Sequence, residues 1–467
     1  MSLSAKLFTV FTTCLICTSF TRADNLAEIY NLAVQNDSGM KIAKAHYRAG
    51  KELSVQAKAP LMPVVGLQAN TGKTGYSGST NSFDADSFRN SNNPTLVALA
   101  DPIEKLASGS ISEGNVHSYS ATVTQTVFSL EKWYNYQGGK ENDNTIEAAL
   151  HISEQDLILN VAVAYFNVLR GIDNFATAKA EEKTIQRQLE QTQQRFDVGL
   201  IAITEVLEAR AVFDSVAVAR LEVEGALAIF YESLEVLTGQ PHHNLDSLSE
   251  NFPIIIPEPI DREGWVKLAL ENSIEIQTTR HAVEVANDNA KAKKFASYPT
   301  LDASASYNHS SKGVDASLYQ LSMNVPLYTG GYSSSAKRQA YEQVNEAQEK
   351  LTSAQRQIVQ QTRAAFLSVS TDVSKVKARQ LAITSRKSAL DATQAGYEVG
   401  TRNVVDVLAA QTELYQALRN YSNARYDYVI NLLKLKKAAG TLNPNDIEMI
   451  NSGLTKENVS PLAKVSF

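Results

Sequence analysis

The sequence predicts a mixed α/β protein made of two copies of one unit, in which long antiparallel helices carry short strand hairpins. Three observations support this prediction: long stretches without proline, a sequence repeat, and four segments in which polar and apolar residues alternate. No proline lies between Pro102 and Pro241 or between Pro326 and Pro444. Because proline breaks the interior of a helix, these stretches permit very long helices.

The composition excludes several classes of protein. Hydrophobic residues make up 43% and charged residues 20% of the 467 residues, which is typical of a folded chain. The net charge of −6 argues against a nucleic-acid-binding protein, which usually carries a clustered basic surface. After the N-terminal segment, no apolar run of about 18 residues predicts a membrane-spanning helix.

The N-terminal segment has the pattern of an export signal. Lys6 precedes a short apolar stretch, and the small residue Ala23 ends the segment. This pattern predicts a signal peptide at 1–23, with a buried N-terminal helix as the alternative. Both cysteines, Cys14 and Cys17, lie in this segment, so no disulfide is expected in the exported chain.

The chain repeats itself. The segment Phe196-Asp197-Val198-Gly199 recurs as Tyr397-Glu398-Val399-Gly400, and the same offset relates Gly239 to Gly440. The first copy has extra residues within 72–117, which are rich in Gly, Ser and Asn. The predicted order is a first repeat at 24–240, a connector at 241–262, a second repeat at 263–440 and a C-terminal segment at 441–467. Each repeat is read as a helix, two strands, a long helix, a tight turn at 199 or 400, and a returning helix.

The strands are predicted at about 64–70, 118–128, 299–308 and 318–327. Their alternation places apolar residues on one face and small polar residues on the other. Their length is close to that of a tilted transmembrane strand, although a soluble sheet with one solvated face would give the same pattern. An open four-stranded sheet cannot lie in lipid, because its edge amides would lack partners. A membrane location therefore requires several chains to close one barrel, and the strand pattern leaves their number open.

The helices favour an extended coiled-coil structure. Val344, Leu351 and Ile358 mark a heptad seam in the second long helix. A helix of about 65 residues is ~100 Å long. In each repeat, the helix that precedes the strands and the returning helix that follows the turn are each about half as long. Gly199 and Gly400 fit tight turns at the ends of the long helices, because glycine adopts the left-handed conformation at little cost.

Over nearly its whole exported length, the chain resembles the TolC family of outer-membrane efflux and secretion channels. The segments that carry the resemblance include 164–169, 194–200, 395–402, 404–408 and 423–426. The resemblance implies a homotrimer, in which twelve strands, four from each chain, form one outer-membrane β-barrel. It also implies a coiled-coil α-helical tunnel through the periplasm, and an equatorial layer formed by about 240–262 and the segment from Thr441.

The family's function implies that the chain is an exit duct. Such channels dock with a periplasmic adaptor and an inner-membrane pump, for drug efflux or type I protein secretion, and open by untwisting of periplasmic helices. In the family, a latch between two helix pairs holds the tunnel shut. The matching latch residues are Tyr397 and Arg402 on one pair, with Thr204 and Glu205 on the other.

The resemblance also implies a pore constriction and a docking surface. Asp406 matches an aspartate that faces the pore, where three copies would form a ring of like charge. The family pattern has a second aspartate at the position of Ala409, so a single ring is expected here. The adaptor-docking segments correspond to the two turn tips, Val198, Gly199 and Leu200 in the first repeat and Val399, Gly400 and Thr401 in the second.

Other chemistry is sparse in the sequence. No phosphate loop, nucleophile elbow or zinc-protease motif is present, so neither an enzyme nor a cofactor site is expected. His242, His243 and Asp246 lack further clustered ligands, and exposed loop histidines are favoured over a metal site. The carboxylates at 181–182 are interpreted as a solvated helix face. A non-transporting periplasmic coiled-coil scaffold remains the alternative function.

Overall fold

The computed structural model describes residues 25–74, 85–107, 114–311, 313 and 315–456. The predicted signal peptide at 1–23 lies outside these residues. The helices are α1 (Leu26–Asn36), α2 (Ser38–Lys58), α3 (Ala85–Arg89), α4 (Pro94–Ala107), α5 (Leu130–Asp197), α6 (Ile203–Thr238), α7 (Arg262–Asn272), α8 (Ile274–Phe295), α9 (Tyr332–Glu398), α10 (Val404–Ala438) and α11 (Pro444–Ser452). The strands are β1 (Val64–Thr74), β2 (Gly114–Phe128), β3 (Ser247–Leu248), β4 (Thr300–Ser310), β5 (Ala316–Asn324) and β6 (Leu454–Thr455).

The chain divides into two compact units, which do not coincide with the two repeats. Of the described residues, those within 1–50, 144–282 and 348–467 form one unit, and those within 51–143 and 283–347 form the other. We call them the helical unit and the sheet unit. Each unit contains parts of both repeats, because each repeat contributes one strand pair to the sheet unit and most of its helices to the helical unit.

The sheet unit is built on a four-stranded antiparallel sheet with the order β1-β2-β4-β5. The strands begin and end within a few residues of the predicted bounds, although β1 extends further, to Thr74. The register aligns the apolar side chains across all four strands, so that Val65 lies opposite Val123, Val123 opposite Ala305, and Ala305 opposite Tyr319. Because side chains alternate between faces, the residues between them form a polar face rich in serine and threonine.

The apolar face of the sheet is exposed within the single chain. Leu67 is 84% and Tyr319 is 83% exposed, although both are large hydrophobic residues. Aromatic residues near the strand ends divide into two groups. Tyr134 packs in parallel on Phe295 with a centroid separation of 5.3 Å, whereas Trp133, Tyr328 and Tyr332 remain exposed. An exposed apolar surface of this kind marks an interface with lipid or protein.

The helical unit has its core where α5, α9 and α10 pack with the short N-terminal and C-terminal helices. Leu26 and Ile29 of α1 join Tyr165 and Phe166 of α5 and Val429 of α10 in one buried cluster. Strand β3 of the connector pairs with β6 near the end of the described residues. The two segments that the resemblance assigns to an equatorial layer therefore contact each other directly.

The helix before each strand pair is interrupted, which the sequence did not predict. Instead of the single helix predicted before each strand pair, the structure has breaks at Asp37 and Ser273. Both residues have nearly the same non-helical backbone, with ψ of 126° and 122°. The Asp37 carboxylate accepts a hydrogen bond from the Met40 backbone N–H at 2.7 Å, so it caps the first turn of α2. Short polar side chains compete with helical hydrogen bonds, and here that local competition ends one helix and starts another.

Within the described residues, no helix combines the length and apolar character that crossing a membrane requires.

Candidate gate at the two helix turns

The two turns that end the long helices have the same backbone geometry. Gly199 and Gly400 each have a φ of +78°, a left-handed conformation that favours glycine. In the first turn, the Leu200 N–H donates to the Arg195 carbonyl at 2.9 Å, and in the second the Thr401 N–H donates to the Gly396 carbonyl at 2.9 Å. These hydrogen bonds satisfy carbonyl groups at the helix ends. The local sequence thus produces two matched turns.

The predicted docking residues lie at the outermost positions of these turns. Val198, Leu200 and Val399 are exposed by 71%, 73% and 74%, and the two glycines and Thr401 are exposed beside them. Surface apolar residues are common singly, but here three large ones occupy two short turns. The turn tips therefore provide apolar side chains for contact with another molecule.

In the single chain, the predicted latch residue Arg402 pairs with Asp406 rather than with Thr204 or Glu205. Arg402, in the turn before α10, lies 3.7 Å from Asp406, the predicted pore residue in the first turn of that helix. Both side chains are more than one third exposed, so the pair contributes little to stability. Thr204 is exposed and Glu205 half-buried in the first turn of α6. Among the hydrogen bonds and ion pairs of the described residues, none joins Thr204 or Glu205 to Tyr397 or Arg402. The latch between the helix pairs remains a prediction.

Tyr397 occupies the junction of two buried apolar clusters. One cluster contains Ile185 of α5, Ala209 of α6 and Leu408 of α10, and the other contains Leu390 of α9 and Leu414 of α10. The Tyr397 ring packs against both. Its hydroxyl oxygen is inaccessible to solvent and has no hydrogen-bond partner within the described residues.

Sequence reasoning missed Arg195 as a residue of this region. Its guanidinium carbon lies 4.7 Å from the centroid of the Tyr397 ring, a distance typical of a cation–π contact. The contact joins α5 of the first repeat to α9 of the second. Arg195 was within the matched segment 194–200, but no repeat signal marked it, because the equivalent position in the second repeat is Gly396.

Further from the turns, α5 and α10 are joined by a series of polar contacts. The contacts are Thr184 Oγ1 with the Tyr415 hydroxyl at 2.7 Å, Glu181 with Arg419, Asp173 with Ser422 and with the Tyr426 hydroxyl at 2.8 Å, and Arg170 with Asp427 at 2.6 Å. The prediction of a solvated face at 181–182 is wrong for Glu181, whose side chain is only 5% exposed. Glu182 pairs with Arg220 at 2.8 Å. Glu181 lies on the face of α5 that contacts α10, where it pairs with Arg419. The charge pattern alone does not show which face of the helix is buried.

Burial shifts the acidity of these groups. Desolvation raises the pKa of the Asp173 carboxyl above its usual value, although hydrogen bonds from Ser422 and Tyr426 oppose the shift. Desolvation likewise raises the pKa of Glu181, against the lowering effect of Arg419. The Tyr426 hydroxyl has a pKa well above its usual value, because of burial and the adjacent Asp173.

The histidine pair of the connector does not form a ligand cluster. His242 is buried and its Nε2 lies 2.9 Å from the Thr238 hydroxyl, whereas His243 is exposed. The expectation of exposed loop histidines is therefore wrong for His242, because the connector folds back onto the end of α6. Within the described residues, no group of three or more His, Cys, Asp or Glu side chains is arranged to hold a metal ion.

A sheet with an exposed apolar face, together with two long helix pairs that end in exposed turns, defines a subunit of an outer-membrane channel. The chain belongs to the outer membrane efflux protein family, whose model matches residues 29–240 and 265–441.

Individual relatives agree with this assignment. The chain is 33% identical to outer membrane protein TolC of Escherichia coli, over 95% of this chain and 89% of TolC. It is 25% identical to the alkaline protease secretion protein AprF of Pseudomonas aeruginosa, over 91% of this chain and 86% of AprF. The fold is similar to the CmeC outer membrane channel of Campylobacter jejuni, with a TM-score of 0.74, 16% identity and coverage of 92% of this chain and 89% of CmeC. The chain is thus an outer-membrane exit duct, and its family is one of transport channels.

Proposed function

We propose that three copies of this chain close a twelve-stranded β-barrel in the outer membrane, continued by a coiled-coil α-helical tunnel in the periplasm. The duct docks with a periplasmic adaptor and an inner-membrane pump, and small toxic molecules or secreted proteins leave through it. The number three rests on the family resemblance. The docking partners and the secretion role rest on the same resemblance, with AprF named as a protease secretion protein.

The observation that carries the proposal is the sheet with its exposed apolar face and unpaired edges. Within the described residues, β1 and β5 each pair with one neighbouring strand, so each leaves one edge open. In a lipid environment, unpaired backbone groups are costly, and closed barrels avoid them. Joining β5 of one chain to β1 of the next satisfies both edges and places the apolar face, with Leu67 and Tyr319, against lipid.

The helix α6 provides a second support for association. Several of its large apolar side chains are exposed in the single chain, namely Leu207, Val218, Leu221, Ile229 and Val236. Such a surface is favourable only if another molecule covers it. A second copy of the chain fits this role, because symmetric association would cover the same surface on every subunit.

Opening requires that the contacts at the turns be reversible. We place the latch at Tyr397 and Arg402 with Thr204 and Glu205, and a single ring of Asp406 at the constriction. Arg402 and Asp406 are exposed enough to exchange partners when the helices untwist, since an exposed ion pair is weak. The apolar tips Val198, Leu200 and Val399 are suited to adaptor hairpins, because they remain uncovered in the chain.

The decisive experiment is single-channel recording with purified protein in planar lipid bilayers. Discrete, cation-selective pores are expected. Arg402→Ser is expected to enlarge the conductance, alone or combined with Tyr397→Phe, because it removes the charged latch residue. Protein that is soluble without detergent and forms no pores would contradict the channel and favour the coiled-coil scaffold.

Cysteine cross-linking tests the barrel closure separately. Cys14 and Cys17 are the only cysteines of the chain, and both lie in the predicted signal peptide. In the exported protein, disulfides can therefore form only between the introduced cysteines. Tyr319→Cys on β5 is combined in turn with Val65→Cys, Leu67→Cys and Ala69→Cys on the β1 edge. At least one pair should give a ladder of linked chains that stops at three. The matched control is Ala121→Cys with Tyr319→Cys, because Ala121 lies opposite Leu67 but on an interior strand. A ladder that continues beyond three, or one of equal strength in the control, would contradict the arrangement.

A further inference from the structure

We infer that Arg195 is a gating residue of the channel, which holds the α9–α10 pair to the α5–α6 pair by binding the face of the Tyr397 ring. The inference rests on the proposed function, since it concerns how the proposed duct is kept shut. It assigns the role of Tyr397 to its aromatic ring rather than to its hydroxyl group.

The Arg195 cation lies against the face of an aromatic ring. The Arg195 guanidinium carbon lies 4.7 Å from the ring centroid, and the residue is half-buried. Within the described residues, Arg195 makes no ion pair, and the nearby carboxylate Asp197 accepts a hydrogen bond from Gln193 at 2.8 Å instead. The charge of Arg195 is therefore not neutralised by a carboxylate. The ring is its close electrostatic partner, and partial burial strengthens such a contact.

The Tyr397 ring lies in an apolar environment. Tyr397 is packed between the cluster of Ile185, Ala209 and Leu408 and the cluster of Leu390 and Leu414. Its hydroxyl oxygen is buried without a hydrogen-bond partner within the described residues. A buried hydroxyl that makes no hydrogen bond has lost water without compensation, so the hydroxyl does not hold the side chain in place. The apolar contacts and the cation hold the ring.

The contact between Arg195 and Tyr397 lies between two different helix pairs. Arg195 lies in the last turn of α5 and Tyr397 in the last turn of α9, so the contact joins the two helix pairs next to both turns. A movement that separates the pairs must break it. Only the first repeat supplies an arginine for this contact. The position equivalent to Arg195 is Gly396, where a Cβ would lie 2.8 Å from the Arg402 Cγ, so a reciprocal arginine in the second turn would have to displace the Arg402 side chain.

The test is single-channel conductance of the full chain in planar bilayers, with variants that separate charge, ring and hydroxyl. Arg195→Gln keeps most of the side-chain volume but removes the charge, and Arg195→Lys keeps a cation. Tyr397→Phe keeps the ring face, whereas Tyr397→Leu removes it. Arg210→Ala is the matched control, because Arg210 is an exposed arginine of α6 that makes no ion pair within the described residues.

Arg195→Gln and Tyr397→Leu are each expected to raise the conductance at least twofold, with Arg195→Lys, Tyr397→Phe and Arg210→Ala close to the wild-type value. The double variant Arg195→Gln with Tyr397→Leu should conduct no more than the larger single variant, since both remove one contact. The Arg195 variants and Tyr397→Phe should retain the wild-type melting temperature within a few degrees, whereas Tyr397→Leu also loses packing against the two apolar clusters and should melt at a lower temperature.

Two results would overturn the inference while leaving the proposed function intact. One is a wild-type pore whose conductance is unchanged by Arg195→Gln. The other is a Tyr397→Phe pore as large as the Tyr397→Leu pore, which would assign the latch to the hydroxyl. Absence of pores in the wild-type protein would instead refute the proposed function itself.

Discussion

The returning helices α6 and α10 are equivalent in the repeat but differ in their surroundings. α10 buries residues along its whole length, whereas α6 buries only a few. Leu408 is 1% exposed, and its repeat counterpart Leu207, the same residue type, is 59% exposed. The difference shows that the repeat specifies the helix, while its position in the tertiary structure decides what the helix contacts. In the single chain, α10 is an interior helix, whereas α6 leaves large apolar side chains exposed.

The strongest test of this comparison replaces the two equivalent leucines. Leu408→Ala is expected to destabilise the protein by about 2–5 kcal/mol, because it leaves a cavity in a packed cluster. Leu207→Ala should cost less, and its cost should grow as the protein is diluted, since it weakens contacts between chains rather than within one. Thermal unfolding at several protein concentrations measures both. Equal losses without concentration dependence would remove the distinction between the helices.

A second comparison concerns the glycines that end these helices. Gly239 and Gly440 both have positive φ, so alanine carries a backbone cost of about 1 kcal/mol at either site. A Cβ at Gly440 would lie 2.4 Å from the Asn272 carbonyl oxygen, whereas at Gly239 it would lie 3.6 Å from the Asn36 Cβ. Gly440→Ala is therefore expected to cost about 1–3 kcal/mol more than Gly239→Ala, because backbone must move. Chemical denaturation of the two variants would show this difference, and similar midpoints would contradict it.

The two long helices carry their buried acids at different positions, since the buried acid of α9 is Asp372. α5 carries Asp173 and Glu181 toward α10, while the equivalent positions of α9 are Ser374 and Ala382. An acid whose folded-state pKa is raised contributes stability below its unfolded pKa, and this contribution is lost as the pH rises through the folded value. The stability of the wild type relative to Asp173→Asn should therefore fall as the pH rises from about 4, the unfolded pKa of aspartate.

Melting temperatures of both proteins across this pH range test the prediction. A difference that stays constant, or that favours the wild type more at neutral pH than in acid, would show that Asp173 is not held in a desolvated site. Ser374→Ala on α9 provides a matched control, because it changes the equivalent position without altering charge.

The smallest expected effect concerns the acids that begin the two returning helices. Asp406→Asn removes the exposed contact with Arg402 and should change the stability by about 0.5 kcal/mol or less. Glu205→Gln at the equivalent position should be similarly small. The two variants should differ in conduction, because only Asp406 is assigned to the pore ring, so Asp406→Asn should lower the cation selectivity. Equal selectivity in both variants would contradict that assignment.

Much of the fold could be predicted from local patterns. Alternation located all four long strands, and the absence of proline anticipated α5 and α9. The breaks at Asp37 and Ser273 were missed, because either residue can occur inside a helix and only the capping contact selects the break. Glu181 was misjudged for a related reason: a charged residue on a helix is usually solvated, and its partner Arg419 is distant in the sequence.

The sequence by itself determined the local structure of this protein: the repeat, the strand faces, the positive-φ glycines at the turns, and the family to which the matched segments belong. These features depend on contacts between near neighbours or on short motifs. Only the tertiary structure decided that Leu408 is buried and Leu207 exposed, that Asp173 and Glu181 are desolvated, and that Arg195 reaches Tyr397. Each of these depends on side chains brought together from distant parts of the chain, and burial, which sets their energies, is a property of the packed structure.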